Sequence, residues 1–482
     1  MENQKTKIIS IASIIALALT LVTATFAYFM AQTGEGKSTD IKINASTVDT
    51  FTFEAGSALN LSLNQENFAS GKGNQTGTTF AKAMLSANNK TNTATDHYYM
   101  YLNISENTFT YTQDANTPEI LLSIKDGSNN EITSVSGLTY KTVTDGKGAS
   151  IKGFDITKKS GLITILNNRE ITTTSSKTEE WNVTVTFVNY NSNQAGNAGK
   201  NFSAKLMIQK EKIPTVLSDV CTSGNNLATC ITTLSNKSEP SIVNIYHHTS
   251  SLANGAGDNS YRYAGASGSV NNYICLGSDE ATCPDANLFR IIGVFGDKTK
   301  VIRAKSVGDK EWNTSADNTW SSSSLNTYLN GTYLTSLGTL AEKIATTTWK
   351  VRGGSSTYLY DAPKIAYQYE VGSSASATTN DAKIGLMYVS DYGYAADQSA
   401  WTTKLSSYNS NTSKNWLYLG SDEWTISRNS DNSNSAFGVS SSGDVGYDGV
   451  GNYIGVRPSF NLESSVNYVS GSGSMSDPVR VN

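Results

Sequence analysis

The sequence predicts a mainly β protein in which an N-terminal antiparallel β-sandwich is followed by an α+β, loop-rich domain. Three observations predict it. Apolar and polar residues alternate through much of the first half, the period of strands with one buried face. Ser, Thr, Asn and Gly dominate what 38% hydrophobic and 16% charged residues leave over, a composition suited to Thr-bearing strands and Asn/Gly turns. The 482 residues also exceed what one core usually supports, so two domains are expected. With 25 Tyr, 14 Phe and 7 Trp the chain carries too much aromatic surface to stay disordered. A net charge of −4 offers no basic stripe, so no nucleic-acid partner is expected.

The first residues set the compartment. Lys5 and Lys7 precede a charge-free run from Ile8 to Ala31, and Ala24, Thr25 and Ala27 suit cleavage just before Tyr28. Residues 1–30 read as a signal peptide, with an N-terminal membrane anchor as the alternative. Either way the bulk of the chain is expected at the cell surface or outside the cell, touching membrane only through this segment. The four cysteines form two close pairs, Cys221/Cys230 and Cys275/Cys283. Of three connectivities, local pairing is the simplest, giving two structural disulfides. Zinc would want tighter spacing and nearby His.

Residues 31–213 read as the sandwich. Phe51 and Phe53, then Leu59, Leu61 and Leu63, then Met100, Leu102 and Ile104, then Ile120, Leu122 and Ile124 all recur at period two. The clearest strand is Trp181, Val183, Val185 and Phe187, partnered across an Asn/Gly-rich loop by Phe202, Ala204, Leu206 and Ile208. No helical period stands out there. At Lys212-Ile213-Pro214 the pattern breaks, and residues 214–482 read as the disulfide-containing α+β domain. Phe289–Phe295 and Lys300–Ala304 predict a hairpin. Leu325, Tyr328 and Leu329 mark an amphipathic helix that Gly331 ends or kinks, and Leu334, Leu337, Leu340 and Ile344 a second helical piece. Ile384–Val389 is expected as a strand, and Trp416–Leu419, Trp424–Ile426, Ala436–Val439, Gly455–Val456 and Ser459–Leu462 as short, turn-punctuated segments.

Two resemblances follow from quoted residues. The leader ending Thr25-Phe26-Ala27-Tyr28-Phe29, with a β domain directly after it, resembles the camelysin and biofilm-fibre group of Gram-positive bacteria. That implies export and a sandwich able to polymerise. Asn272-Tyr273-Ile274-Cys275, Asn287-Leu288-Phe289-Arg290-Ile291-Ile292-Gly293, Trp320 to Asn330, Trp424-Thr-Ile-Ser427 and Gly455-Val-Arg-Pro-Ser459 resemble a domain of unknown function in secreted bacterial proteins. Their Trp and Gly-Val-Arg-Pro arrangement is similar to C-type-lectin-like folds, including relatives of formylglycine-generating enzymes, and implies a binding module.

Catalysis finds no foothold in the sequence, and the chain is read as non-enzymatic. His97, His247 and His248 are the three histidines. His97 reads as a strand-end residue, and His247-His248 lacks the third ligand of a zinc site. No nucleophile elbow has His and Asp partners, and formylglycine chemistry would need a cysteine later than Cys283. Arg352-Gly353-Gly354-Ser355 reads as a turn. Asp431, Asn432, Asn434, Asp444 and Asp448 read as solvated turns rather than a calcium loop, so no metal or cofactor is expected. The aromatic residues are the sharper signal. Trp416, Tyr418, Tyr447 and Tyr453 lie near Arg428, Asp431, Asn434, Asp448 and Asn452 in turn-rich segments. Rings that stack and amides that orient suit glycan or protein ligands, with Trp424 expected in the core and Arg457 in a buried pair. The reading is an adhesin or recognition protein. The alternative is a self-associating matrix or fibre subunit, in which residues 31–44 donate a strand to a neighbour's sheet edge.

Overall fold

The computed structural model describes residues 49–63, 67, 72–88, 93–372 and 378–482. The leader, its cleavage point at Tyr28 and the segment 31–44 lie outside the described residues. The protein is mainly β and divides into two compact units between Lys212 and Ile213.

Unit 1 contains strands β1 (Thr50–Ala55), β2 (Leu59–Ser62), β3 (Gln75–Ser86), β4 (Ala94–Asn107), β5 (Ile120–Asp126), β6 (Tyr140–Thr144), β7 (Ser150–Asp155), β8 (Gly161–Thr173), β9 (Ser176–Phe187) and β10 (Asn201–Gln209). They form a six-stranded sheet, β1-β3-β9-β5-β7-β6, and a four-stranded sheet, β2-β10-β4-β8. Strand β9 runs antiparallel between β3 and β5, so Trp181, Val183, Val185 and Phe187 all face inward. Met100, Leu102, Ile104 and Leu206 of the other sheet meet them in one core, the arrangement of a sandwich. Polar groups inside this core are partnered. The Trp181 indole donates to the Tyr98 hydroxyl at 2.8 Å, and that hydroxyl donates to Glu179 at 2.6 Å. Burial and the Glu179 carboxylate together keep the Tyr98 phenol protonated. His97 lies within β4 rather than at its end, its ring 3.5 Å from Glu170 on the surface.

Unit 2 is built on the hairpin Leu288–Phe295/Lys298–Arg303. Gly296, at φ +63°, opens its two-residue turn. Around this hairpin a nine-stranded sheet takes in Ser459–Asn461 on one side and Tyr273–Cys275 on the other. A five-stranded sheet contains Glu423–Arg428, Ser435–Val439 and Val445–Gly449. Both disulfides form as spaced, Cys221–Cys230 and Cys275–Cys283.

Loops this abundant need large side chains to fill the core. Trp312, Trp320, Trp349, Trp401, Trp416 and Trp424 are each at most 1% exposed. Five of their indole N–H groups donate to backbone carbonyls: Trp312 to Thr425, Trp349 to Ala382, Trp401 to Ala396, Trp416 to Tyr263 and Trp424 to Lys310. Each tryptophan fills volume and satisfies an irregular backbone segment with one side chain. Arg457 pairs with Glu423 at 2.5 Å, both side chains 1% exposed.

Several helical segments differ from the sequence reading. Helix Leu227–Lys237 was not expected; its buried Leu227, Ile231 and Leu234 are spaced for it, Asn226 caps it by accepting from Thr229 N–H, and Cys230 ties it to Cys221. Gly331 sits inside a widened π turn, Leu329–Tyr333, and does not end the helix begun at Ser324. The expected strand Ile384–Val389 is cut to Ile384–Gly385, and a helix runs from Val389 to Tyr394. Asp391 and Glu370 take up the first free N–H groups of that helix, from Tyr388, Val389 and Ser390.

Candidate functional site

The predicted contact residues separate into four places. Trp416 is a correction: it is 1% exposed, and its ring lies against the Arg290 guanidinium at 4.7 Å. A ring enclosed in this way has no face left for a ligand. Tyr418 is half-buried and spends its hydroxyl on the Ser441 carbonyl at 2.6 Å. Asp448 and Asn452 are exposed and hydrogen-bond each other at the turn after Val445–Gly449. Tyr453 follows them, 71% exposed.

The fourth group converges. Arg428 Nε donates to the Arg352 carbonyl at 2.7 Å, and Asp431 accepts from Ser356 N–H at 3.2 Å. Between these contacts, Gly354 N–H reaches the Arg428 carbonyl and Ser430 N–H the Gly354 carbonyl. The turn Arg352-Gly353-Gly354-Ser355 is thereby stitched to the end of the Glu423–Arg428 strand. Gly353 has φ +65°, and a Cβ there would stand 2.0 Å from the Arg428 carbonyl oxygen, so only glycine fits. Asn318 holds the facing loop by donating to the carbonyls of Asn429, Asn432 and Ser435. An Asx turn, Asn434 N–H to Asn432 Oδ1 at 3.0 Å, leaves Asn434 exposed beside Asp431.

That stitching brings Tyr360 alongside Tyr447. Their rings are parallel within 10° at 6.1 Å, and both meet buried Phe437 edge-on. Alternation along Val445–Gly449 turns Tyr447 to the Phe437 face and Asp448 to the opposite one. Tyr447 remains 48% exposed. Beside Tyr360 opens a groove of about 380 Å³ lined by Ser356, Thr357, Asp361, Lys404 and Ser406. Its floor is fixed by Ser406 N–H on the Tyr360 carbonyl and Leu405 N–H on that of Asp361. Hydroxyls, one carboxylate, one ammonium and an aromatic wall share this small space. Such a set stacks on an apolar ring face while giving and accepting hydrogen bonds around it.

The sequence reading missed Tyr360, Asp361 and Lys404. Tyr358 and Tyr360 flank buried Leu359, a spacing that sends the two rings to different sides. Tyr358 stacks on Tyr369 at 3.5 Å, so its face is already covered. A larger groove of about 760 Å³ runs along the Cys275–Cys283 loop and the C-terminal strands. No aromatic ring lines it, and its Arg480 is committed to the carbonyls of Ser278, Glu280 and Ala281.

Titratable groups gather away from the surface. Arg262 pairs with Asp258 at 2.6 Å and Asp391 at 3.4 Å, and Lys300 reaches Asp391 at 2.5 Å. Glu370, fully buried, accepts from Val389 N–H, Ser390 N–H and the Ser427 hydroxyl. Burial pushes its carboxyl up to about 7, against these hydrogen bonds. His248 is buried against Tyr394 and Trp401, with Nδ1 accepting from Ala256 N–H. Burial holds its ring neutral. Among the described residues no cluster of His, Cys, Asp or Glu is arranged to hold a metal ion.

A family model described as a domain of unknown function, DUF6273, matches residues 296–464. The match takes in the Arg352–Asp361 turn, Lys404 and the Tyr447 strand. No curated protein matches the chain. The two disulfides point to an oxidising, extracellular environment. Among the described residues no helix is long and apolar enough to cross a membrane.

Proposed function

We propose that the chain is an exported, non-enzymatic surface recognition protein whose second unit binds a hydroxyl-rich extracellular ligand, a glycan, in the groove beside Tyr360 and Tyr447. The observation that carries this reading is the pair of parallel tyrosines, half of Tyr447 open to solvent, beside a groove of hydroxyls with Asp361 and Lys404. A sugar ring offers an apolar C–H face to the tyrosine and hydroxyls to its polar neighbours. The lectin-like character implied by the Trp and Gly-Val-Arg-Pro motifs agrees with this, as does the charge-free run from Ile8 to Ala31 behind Lys5 and Lys7. A glycan and matrix-protein array probed with the full chain tests it. Binding to a defined glycan class supports the reading, and binding to matrix proteins alone, or to nothing, rejects it.

A second reading, a fibre subunit assembled by strand donation, has one observation in its favour. Among the described residues strand β1 lies at a sheet edge with Phe51 and Phe53 only partly covered, and Glu54 is its single charge. Edges left this plain invite another strand. Deleting residues 31–44 would abolish polymerisation under this reading and leave assembly unchanged under the first.

A further inference from the structure

The centre of unit 2 holds a buried lysine–aspartate pair. Lys300 extends from the middle of the sheet hairpin, and Asp391 from the helix Val389–Tyr394. Their Nζ and Oδ2 atoms are 2.5 Å apart, with the side chains 5% and 2% exposed. The rings of Tyr388, Trp349 and Phe295 stand 4.6, 5.3 and 5.6 Å from Nζ. Enclosure by these rings strips the Lys300 ammonium of water, a cost that their attraction for a cation does not fully offset. Burial accordingly pulls the Lys300 ammonium toward its neutral form, with Asp391 opposing.

Both partners are fixed before any reaction. Lys300 lies opposite Gly293 and Asn461 in the sheet. Asp391 is held by Tyr388 N–H at Oδ2 and by Arg262 Nη1, 3.4 Å from Oδ1. Holding two reactants in contact geometry replaces an unfavourable encounter in water with a high effective concentration.

We propose that Lys300 and Asp391 become joined by an intramolecular amide bond. The proton passes from Nζ to the Asp391 carboxylate, leaving a neutral amine against a carboxylic acid. Nζ then attacks Cγ, and the negative charge that develops on Oδ1 faces the Arg262 guanidinium. Glu370, the second carboxyl at this helix end and protonated in the folded chain, gives its proton to Oδ2 and takes one from the attacking nitrogen. The Nζ–Cγ bond forms, the Cγ–Oδ2 bond breaks, and Oδ2 leaves as water. No electrons are exchanged with an outside reagent, and no cofactor is needed. The product ties two segments 91 residues apart in sequence across the core that carries the tyrosine groove.

Tryptic mapping of the full chain after disulfide reduction tests the bond. The expected result is a branched peptide joining the Lys300 and Asp391 segments, lighter by one water than its two parts, with no cleavage after Lys300. Recovery of both segments as linear peptides at unmodified mass would overturn the proposal. Lys300→Met should abolish the branched peptide. Folded Glu370→Gln should leave the segments linear; cross-linking at the wild-type rate would overturn the role given to Glu370.

Discussion

Tyr447 and Trp416 carry similar rings in neighbouring stretches of sequence, yet their surroundings assign them opposite work. Trp416 fills core volume, donates its indole N–H to Tyr263 and covers the Arg290 guanidinium. Replacing Trp416 or Trp424 with Ala should cost about 3–5 kcal/mol in chemical denaturation of the chain. Tyr453, 71% exposed, should tolerate Ala within about 0.5 kcal/mol. Equal losses at Trp416 and Tyr453 would mean that burial does not separate core from surface rings here. Composition alone could not make this separation. Tryptophan next to Asn, Gly and Ser looks like a contact residue until the loops prove to be packed around it.

At the scale of elements, the turn Arg352–Ser355 decides whether a groove exists at all. Its backbone follows the Arg428 carbonyl so closely that a Cβ on Gly353 has no room, and its φ is positive. Gly353→Ala should lower stability by at least about 1–2 kcal/mol. It should also loosen Tyr360 from Tyr447, visible as greater protease sensitivity of the 352–361 segment. Unchanged stability and protection would remove the turn from the account. Unit 1 was largely legible because period-two alternation is dictated by the strand itself, as β9 illustrates with Trp181, Val183, Val185 and Phe187 all inward. Unit 2 was legible in its hairpin and disulfides, but not in the helix Val389–Tyr394. That helix starts where it does because Glu370 and Asp391 satisfy its N–H groups, and Glu370 lies 19 residues upstream of Val389. Of the surroundings of the groove, the sequence showed Tyr447, Arg428 and Asp431; it could not show that a distant turn brings Tyr360 and Asp361, which line the groove, beside them.

The whole molecule is constrained by the buried charges of its second unit. Asp258 balances Arg262, and Lys300 with Asp391 carries no net charge whether paired or joined, so an ionised Glu370 adds unmatched negative charge. Burial raises its carboxyl from 4.5 to about 7. The folded chain therefore holds a proton that the unfolded chain has released. The sign follows: the contribution of this group is greatest below about pH 4.5, falls as pH rises toward 7, and levels above it. The span is on the order of 3 kcal/mol. Glu370→Gln should flatten that part of the unfolding profile, and an unchanged slope would show that Glu370 is ionised in the folded state. Titration of the full chain with the glycan class selected on the array, beside Tyr447→Ala and with thermal unfolding of both, tests the central claim most directly. The account predicts affinity weaker by about tenfold, about 1.4 kcal/mol, with the melting temperature nearly unchanged. Equal affinity in a folded Tyr447→Ala protein would contradict it.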